Sequence, residues 1–301
     1  MKRLKSFVLI SSLIFAAHPV HAALNVFACE PEWKALVDEI GGERVTTYSA
    51  TTAFQDPHHI EARPSLIAKA RRADLVICSG AELETGWLPL LLRQASNANV
   101  LPGKTGYFEA SAFVQRLDIP VTVDRSMGDV HAGGNPHVHL DPRRIAKISK
   151  KLSERMQQLD PEGTTFYQQR QIDFSQRWHE AISRWQQLAL PLKGKRVVVH
   201  HKDWVYLFNW LDIKIAGALE PKPGLPTTVG HLVELKQALE KSPANMIVYT
   251  AYQSPRAAKR FSQMAGLTAI ELPYTIGGAK EVDDLFSLFD VTIKRLLGGL
   301  K

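Results

Sequence analysis

The feature that most limits what this chain can fold into is an alternation, met twice along its 301 residues, of short β-rich runs with helical stretches. In the first half Leu24–Cys29, Val45–Ser49, Leu75–Cys78 and Asn99–Leu101 read as strands. Glu30–Ile40, Pro64–Arg72 and Glu82–Ser96 read as the helices between them. The second half repeats the pattern, with strands at Arg196–His200, Ile213–Gly217, Met246–Tyr249 and Ala269–Leu272. Its helices are expected at Val229–Lys241, Pro255–Ala265 and Asp283–Leu297. Parallel neighbours need a crossover, usually helical, so the alternation predicts an α/β fold of βαβ units. Two lobes are expected, over 23–150 and 195–301, each a parallel β-sheet flanked by helices.

Between them, Asp160-Pro161-Glu162 has the form of a helix start, with Asp as cap and Pro in the first turn. Tyr167, Gln171, Phe174, Trp178, Ile182 and Trp185 then recur in steps of three or four. That periodicity predicts one connecting helix over 161–190, roughly 45 Å long at ~1.5 Å per residue. Pro191 and Gly194 end it. A helix hairpin broken near Gly163 is the alternative. One stiff connector would restrict hinge motion between the lobes.

Residues 1–22 read as a cleavable export signal. Lys2, Arg3 and Lys5 precede the apolar run Phe7–Ala17, and Val20-His21-Ala22 has a small-x-small ending. The run is well short of the ~20 residues a spanning helix needs. Removing the signal reduces the formal charge from +7 to +4, since it carries three basic residues and no acid. So mild a balance gives no support to nucleic-acid binding. Neither half has a Gly-x-Gly-x-x-Gly or a phosphate-loop lysine motif, so nucleotide binding is unsupported too. The expected location is periplasmic, and the expected form a monomer.

An exported chain with two cysteines raises the question of a disulfide. Cys29 and Cys78 both fall late in expected strands. If those strands are parallel neighbours the thiols can meet; otherwise both are buried and free. Cys29 also follows Val-Phe-Ala, a poor context for lipid attachment, so the chain reads as unanchored.

Chemistry concentrates in the histidines. Of the 11, His18 and His21 lie in the signal. Seven others form three clusters: His58-His59, then His131, His137 and His139, then His200-His201. Each cluster sits after a strand or in a loop, at the sheet end where α/β proteins bind ligands. Three such loops, in a chain without a catalytic serine motif, suggest a metal site assembled across the fold.

At these residues the sequence resembles the metal-binding receptors of zinc and manganese ABC importers. The resemblance rests on Asp56-Pro-His58-His-Ile-Glu-Ala-Arg-Pro64-Ser65 with Gly80-Ala-Glu-Leu-Glu84, on Asn135-Pro-His137-Val-His-Leu-Asp141-Pro142, and on Val199-His-His201-Lys-Asp-Trp-Val-Tyr206-Leu207. It implies His58, His137 and His201 as ligands, with His59, His139 and His200 as packing or supporting residues. Zinc-specific members often carry a longer histidine-rich loop where this chain has His131, so only a weak capture role is expected of that residue. The family's usual fourth ligand is an aspartate in a Leu-Asp-Pro-Leu-Gly segment. Here the stretch reads Glu271-Leu-Pro-Tyr-Thr-Ile-Gly-Gly278, with Leu272 at the aspartate position. Glu271 would point to the opposite face of its strand. Three imidazoles are therefore expected with a water, or with Glu61, Asp56 or Glu220 swinging in. Lacking the hard aspartate, such a set favours Zn²⁺ over Mn²⁺.

The resemblance implies capture of zinc outside the cytoplasm and delivery to an inner-membrane ABC permease, without catalysis. Two alternatives stand beside it. A His₃–water zinc site also describes a hydrolase, for which Glu61 could be the base. A haem or siderophore receptor would need a larger pocket.

Overall fold

The computed structural model describes residues 23–124 and 127–300; the export-signal reading of residues 1–22 lies outside them. The first lobe is built on β1 (Leu24–Ala28), β2 (Val45–Ser49), β3 (Leu75–Cys78) and β4 (Tyr107–Glu109), in the order β2-β1-β3-β4. The second uses β5 (Arg196–Val199), β6 (Lys214–Ala218), β7 (Met246–Thr250) and β8 (Thr268–Leu272), in the order β6-β5-β7-β8. Every pairing is parallel, and the two orders are the same. The burial explains the sequence pattern. Central β3 and β7 are buried at every position, as continuous apolar runs should be, whereas edge strands β2 and β6 are partly open.

The crossovers in the first lobe are α1 (Pro31–Gly41), α2 (Pro64–Arg71) and α3 (Leu88–Ala95). In the second they are α6 (Val205–Leu211), α7 (Val229–Lys241) and α8 (Pro255–Ala265), and α9 (Leu285–Gly298) closes the chain. Their starts are chemically marked. Thr228 and Ser254 accept from backbone N–H groups in the first turns of α7 and α8, and Asp284 forms a capping box with Ser287.

Two expected elements differ. Asn99–Leu101 is not a strand: Ala98–Val100 forms a 3₁₀ turn, and the edge strand comes later. The side chain of Asn97 caps that turn, accepting from Asn99 N. The helix expected from Glu82 begins at Leu88, because Ala81 and Glu82 adopt positive φ of 49° and 71°, which no helix accommodates.

Between the lobes, α4 (Pro142–Leu159) runs through residue 150 and turns back at Pro161–Gly163 into α5 (Thr164–Leu188). The turn is locked. Asp160 receives a two-pronged bond from Arg44 and one from the Tyr167 hydroxyl at 2.7 Å. A Cβ on Gly163 would fall 2.5 Å from both Arg44 and Asp160, so only glycine fits. The connecting helix is therefore 25 residues, or about 37 Å, rather than ~45 Å. Its buried face, Tyr167, Phe174, Trp178, Ile182 and Trp185, matches the predicted stripe. Trp178 and Trp185 pack edge-on or tilted against Phe286 and Phe289 of α9. One hydrophobic cluster runs from Val26 and Trp33 of the first lobe through this helix to Val199, Leu207 and Phe289 of the second.

Cys29 and Cys78 form a disulfide. The register explains it: Ala28 lies opposite Ile77, so the next residues on β1 and β3 face each other. No helix among the described residues is long and apolar enough to cross a membrane.

Candidate metal centre

The candidate residues follow the C-terminal ends of strands or lie in the segment linking the halves. His58 stands in the coil after β2, in a turn that Asp56 makes by accepting from both the backbone N (3.0 Å) and Nδ1 (2.7 Å) of His58. Trp87 holds the same turn by donating to the Pro57 carbonyl. His137 follows Asn135-Pro136; the Asn135 side chain accepts from His137 N and donates to the Lys202 carbonyl. The Tyr206 hydroxyl donates to the Asn135 carbonyl at 2.6 Å. The second and third motifs are thus bonded to one another. His201 comes directly off β5, with Nδ1 2.7 Å from Glu220 Oε2 just after β6.

These three histidines converge. Each offers a ring nitrogen within 4.8 Å of the other two, and their ring centroids are 5.8–6.0 Å apart with planes at 74–82°. In each ring Nδ1 is occupied, by Asp56, by the Tyr274 hydroxyl at 2.8 Å, or by Glu220. With Nδ1–H donating outward, a neutral ring presents its Nε2 lone pair to the centre, the arrangement typical of metal-bound imidazole. His137 supplies the test of fit. Its Nε2 is buried and has no hydrogen-bond partner, a condition that costs about 1–3 kcal/mol unless something such as a cation accepts the lone pair.

Local charge prepares the site. Burial pushes His137 well below the usual imidazole value, and the neighbouring His58 and His201 push it further. Burial also lowers His201, but Asp203 and Glu220 outweigh it and lift the group to about 9. His131 is brought down to about 4 by burial and by His58 and His201. A proton on His201 therefore stands where a cation would bind, while His137 and His131 are ready as neutral donors.

The proposed extra carboxylates do not enter the centre. Asp56 and Glu220 are the outward partners of His58 and His201. Glu61 is exposed, because residues 50–63 are coil and a three-residue spacing brings two side chains together only on a helix. Glu271 is exposed and Leu272 fully buried at the end of β8, as strand alternation requires. His59 is exposed, with Nε2 3.8 Å from Asp129 rather than packed. His139 is buried beside Glu32 and bonds the Tyr274 carbonyl at 3.1 Å. His200 is largely buried and lies 4.0 Å from Glu220.

Three residues were not among the predicted site residues. Asp203 is fully buried, with Oδ1 3.6 Å from His137 Nε2, and is held by Tyr252 and Gln253. Tyr274 orients His137, and His131 Nε2 lies 3.2 Å from His58 Nε2. Asp203, two residues after His201, and Tyr274, two after Leu272, lie inside quoted motif stretches, the available signal. His131 has no comparable marker. A pocket of about 80 Å³ lined by His131, His137 and His201 and one of about 220 Å³ lined by His58 and His201 adjoin the three rings.

Comparison with known proteins returned a family model, described as zinc-uptake complex component A, periplasmic, that matches residues 26–298. A metal ABC transporter substrate-binding lipoprotein, SloC of Streptococcus mutans serotype c, is 23% identical over 287 residues, spanning 92% of this chain and 90% of that protein. The manganese ABC transporter substrate-binding lipoprotein PsaA of Streptococcus pneumoniae is 22% identical, over 88% of this chain and 85% of its own. The crystal structure of ZnuA superposes with a TM-score of 0.77 at 17% identity, covering 93% of this chain and all of that one, which shows a shared fold.

Proposed function

The chain belongs to the ZnuA family of periplasmic zinc-uptake components, and from that premise we propose that it captures Zn²⁺ outside the cytoplasm and hands it to an ABC permease in the inner membrane. Relatives over nearly its full length are substrate-binding proteins of metal transporters, and the chain is a binding protein rather than an enzyme. The ligands are His58, His137 and His201. The observation that carries this reading is the buried, partnerless Nε2 of His137, set among imidazoles whose Nδ1 atoms are all tied outward.

Zinc, rather than the manganese named for PsaA, is supported by the donor set. Manganese prefers oxygen, whereas imidazole suits zinc. Leu272 stands where the resemblance expects an aspartate, and Asp56 and Glu220 serve as hydrogen-bond acceptors. Those acceptors make the imidazoles better donors and fix their orientation.

The ligands divide between the lobes, His58 and His137 from the segment 23–150 and His201 from 195–301. Metal bridges the cleft, and its binding free energy biases the protein toward the closed form that a permease recognises. Periplasmic release after signal cleavage, with no lipid anchor, is supported by Cys29: its sulfur is buried in the disulfide with Cys78. The experiment is metal analysis of protein purified without chelator, followed by titration of stripped protein. One tightly held zinc per chain is expected; preparations that carry no metal and take none up would refute the reading.

A further inference from the structure

We propose that His131 supplies a fourth nitrogen to the metal, so that the cargo is held by four imidazoles and by a loop that straps the two lobes together. The inference rests on the capture reading and adds a ligand to it. His131 Nε2 and His58 Nε2 face each other at 3.2 Å across nearly parallel rings, 22° apart. That separation is at the long end for a hydrogen bond. It is also close to the edge of a tetrahedron with Zn–N bonds of ~2.0–2.1 Å, which is about 3.3–3.4 Å. His58 cannot turn away, because Asp56 holds its Nδ1. The lone pairs of His58 and His131 can therefore converge on one cation.

The loop is built to hold His131 there. Asp129 N donates to the Pro223 carbonyl of the second lobe at 2.9 Å, and Ala132 N donates to Glu82 of the first at 2.6 Å. At Gly128, with φ of 77°, a Cβ would sit 2.2 Å from that same Pro223 oxygen, so the approach requires glycine. Gly134 N bonds back to the His131 carbonyl at 3.0 Å, and Asn135 N donates to the Leu117 carbonyl at 2.8 Å, which fixes the turn between His131 and His137. Asp203 is the competing fourth ligand, at 3.6 Å from His137 Nε2. Both its oxygens already accept, from the Tyr252 hydroxyl and from Gln253 Nε2. With both oxygens committed, Asp203 balances the charge of the cation.

The test compares the full chain with its His131→Ala and His131→Asn variants by zinc competition titration and by the visible spectrum of the Co²⁺-loaded proteins. X-ray absorption of the zinc form counts nitrogen neighbours. Wild type is expected to show four nitrogens, and both variants to lose about tenfold or more in zinc affinity, with altered cobalt bands and unchanged metal-free melting. If both variants bind as wild type with unchanged spectra, while His58→Ala abolishes binding, His131 is not a ligand and the capture reading stands. If wild type binds no zinc, the capture reading falls and this inference with it.

Discussion

At the residue scale, the site is a set of imidazoles whose outer nitrogens are all committed. Replacing His58, His137 or His201 by Ala should each reduce zinc affinity by orders of magnitude in a competition titration, whereas His59→Ala should leave it nearly unchanged, since that ring is exposed. Equal damage from His58 and His59 would mean the wrong ring has been assigned. Tyr274→Phe removes only the acceptor for His137 Nδ1 and should weaken binding about tenfold without unfolding the protein. Protons compete with the cation chiefly at His201, lifted to about 9 in the metal-free chain. Below that value zinc must displace a proton, so affinity should rise with pH from about 7 to 9, by up to about tenfold per unit. Calorimetry in buffers of different ionisation enthalpy should find about one proton released per zinc near pH 7.5; none released would place the proton elsewhere. The three convergent histidines were legible because each stands inside a recognisable local motif. Asp203, Tyr274 and His131 owe their positions to partners 49 to 137 residues away, which no local pattern encodes.

At the scale of elements, the central strands were readable because burial on both faces writes them as unbroken apolar runs. The edge strand Tyr107–Glu109 spans three residues, too few to establish a period, while the more apolar Asn99–Leu101 is drawn into a turn. Helix α4 carries Ile145, Ile148, Leu152 and Met156 in regular steps, but a strongly polar remainder conceals them. The disulfide depended on strand adjacency, which the sequence left open and the β1–β3 register provides. It closes a loop of 49 residues, worth about 4 kcal/mol in a chain-entropy picture. Replacing both cysteines by serine should therefore lower unfolding free energy by about 2–4 kcal/mol in denaturant titration. His58 lies inside this loop, but its turn is held separately by Asp56 and by the Trp87 bond to Pro57, so zinc affinity at 25 °C should change little.

At the scale of the whole molecule, two lobes with the same strand order face each other across the histidines. The expected stiff connector is present, but it does not act alone. The aromatic face of α5 is part of one core that continues into both lobes, and Arg44 fixes the preceding turn through Asp160. This continuity was not legible in the sequence, because the stripe on α5 shows that a face is buried without showing against what. Such a body closes by local adjustment rather than by a wide hinge. Solution scattering should give a radius of gyration near 19 Å, changing by less than about 1 Å on zinc binding; a change of several ångströms would contradict a continuous core.

The central claim is that histidines from three separate segments select zinc. The direct measurement is a competition titration of metal-stripped protein with Zn²⁺ and Mn²⁺ against a chromophoric chelator, run alongside the His137→Ala variant. One zinc should bind per chain, at least about a hundredfold more tightly than manganese, and the variant should lose that binding. Manganese binding as tightly as zinc, or zinc binding that survives the loss of His137, would contradict it.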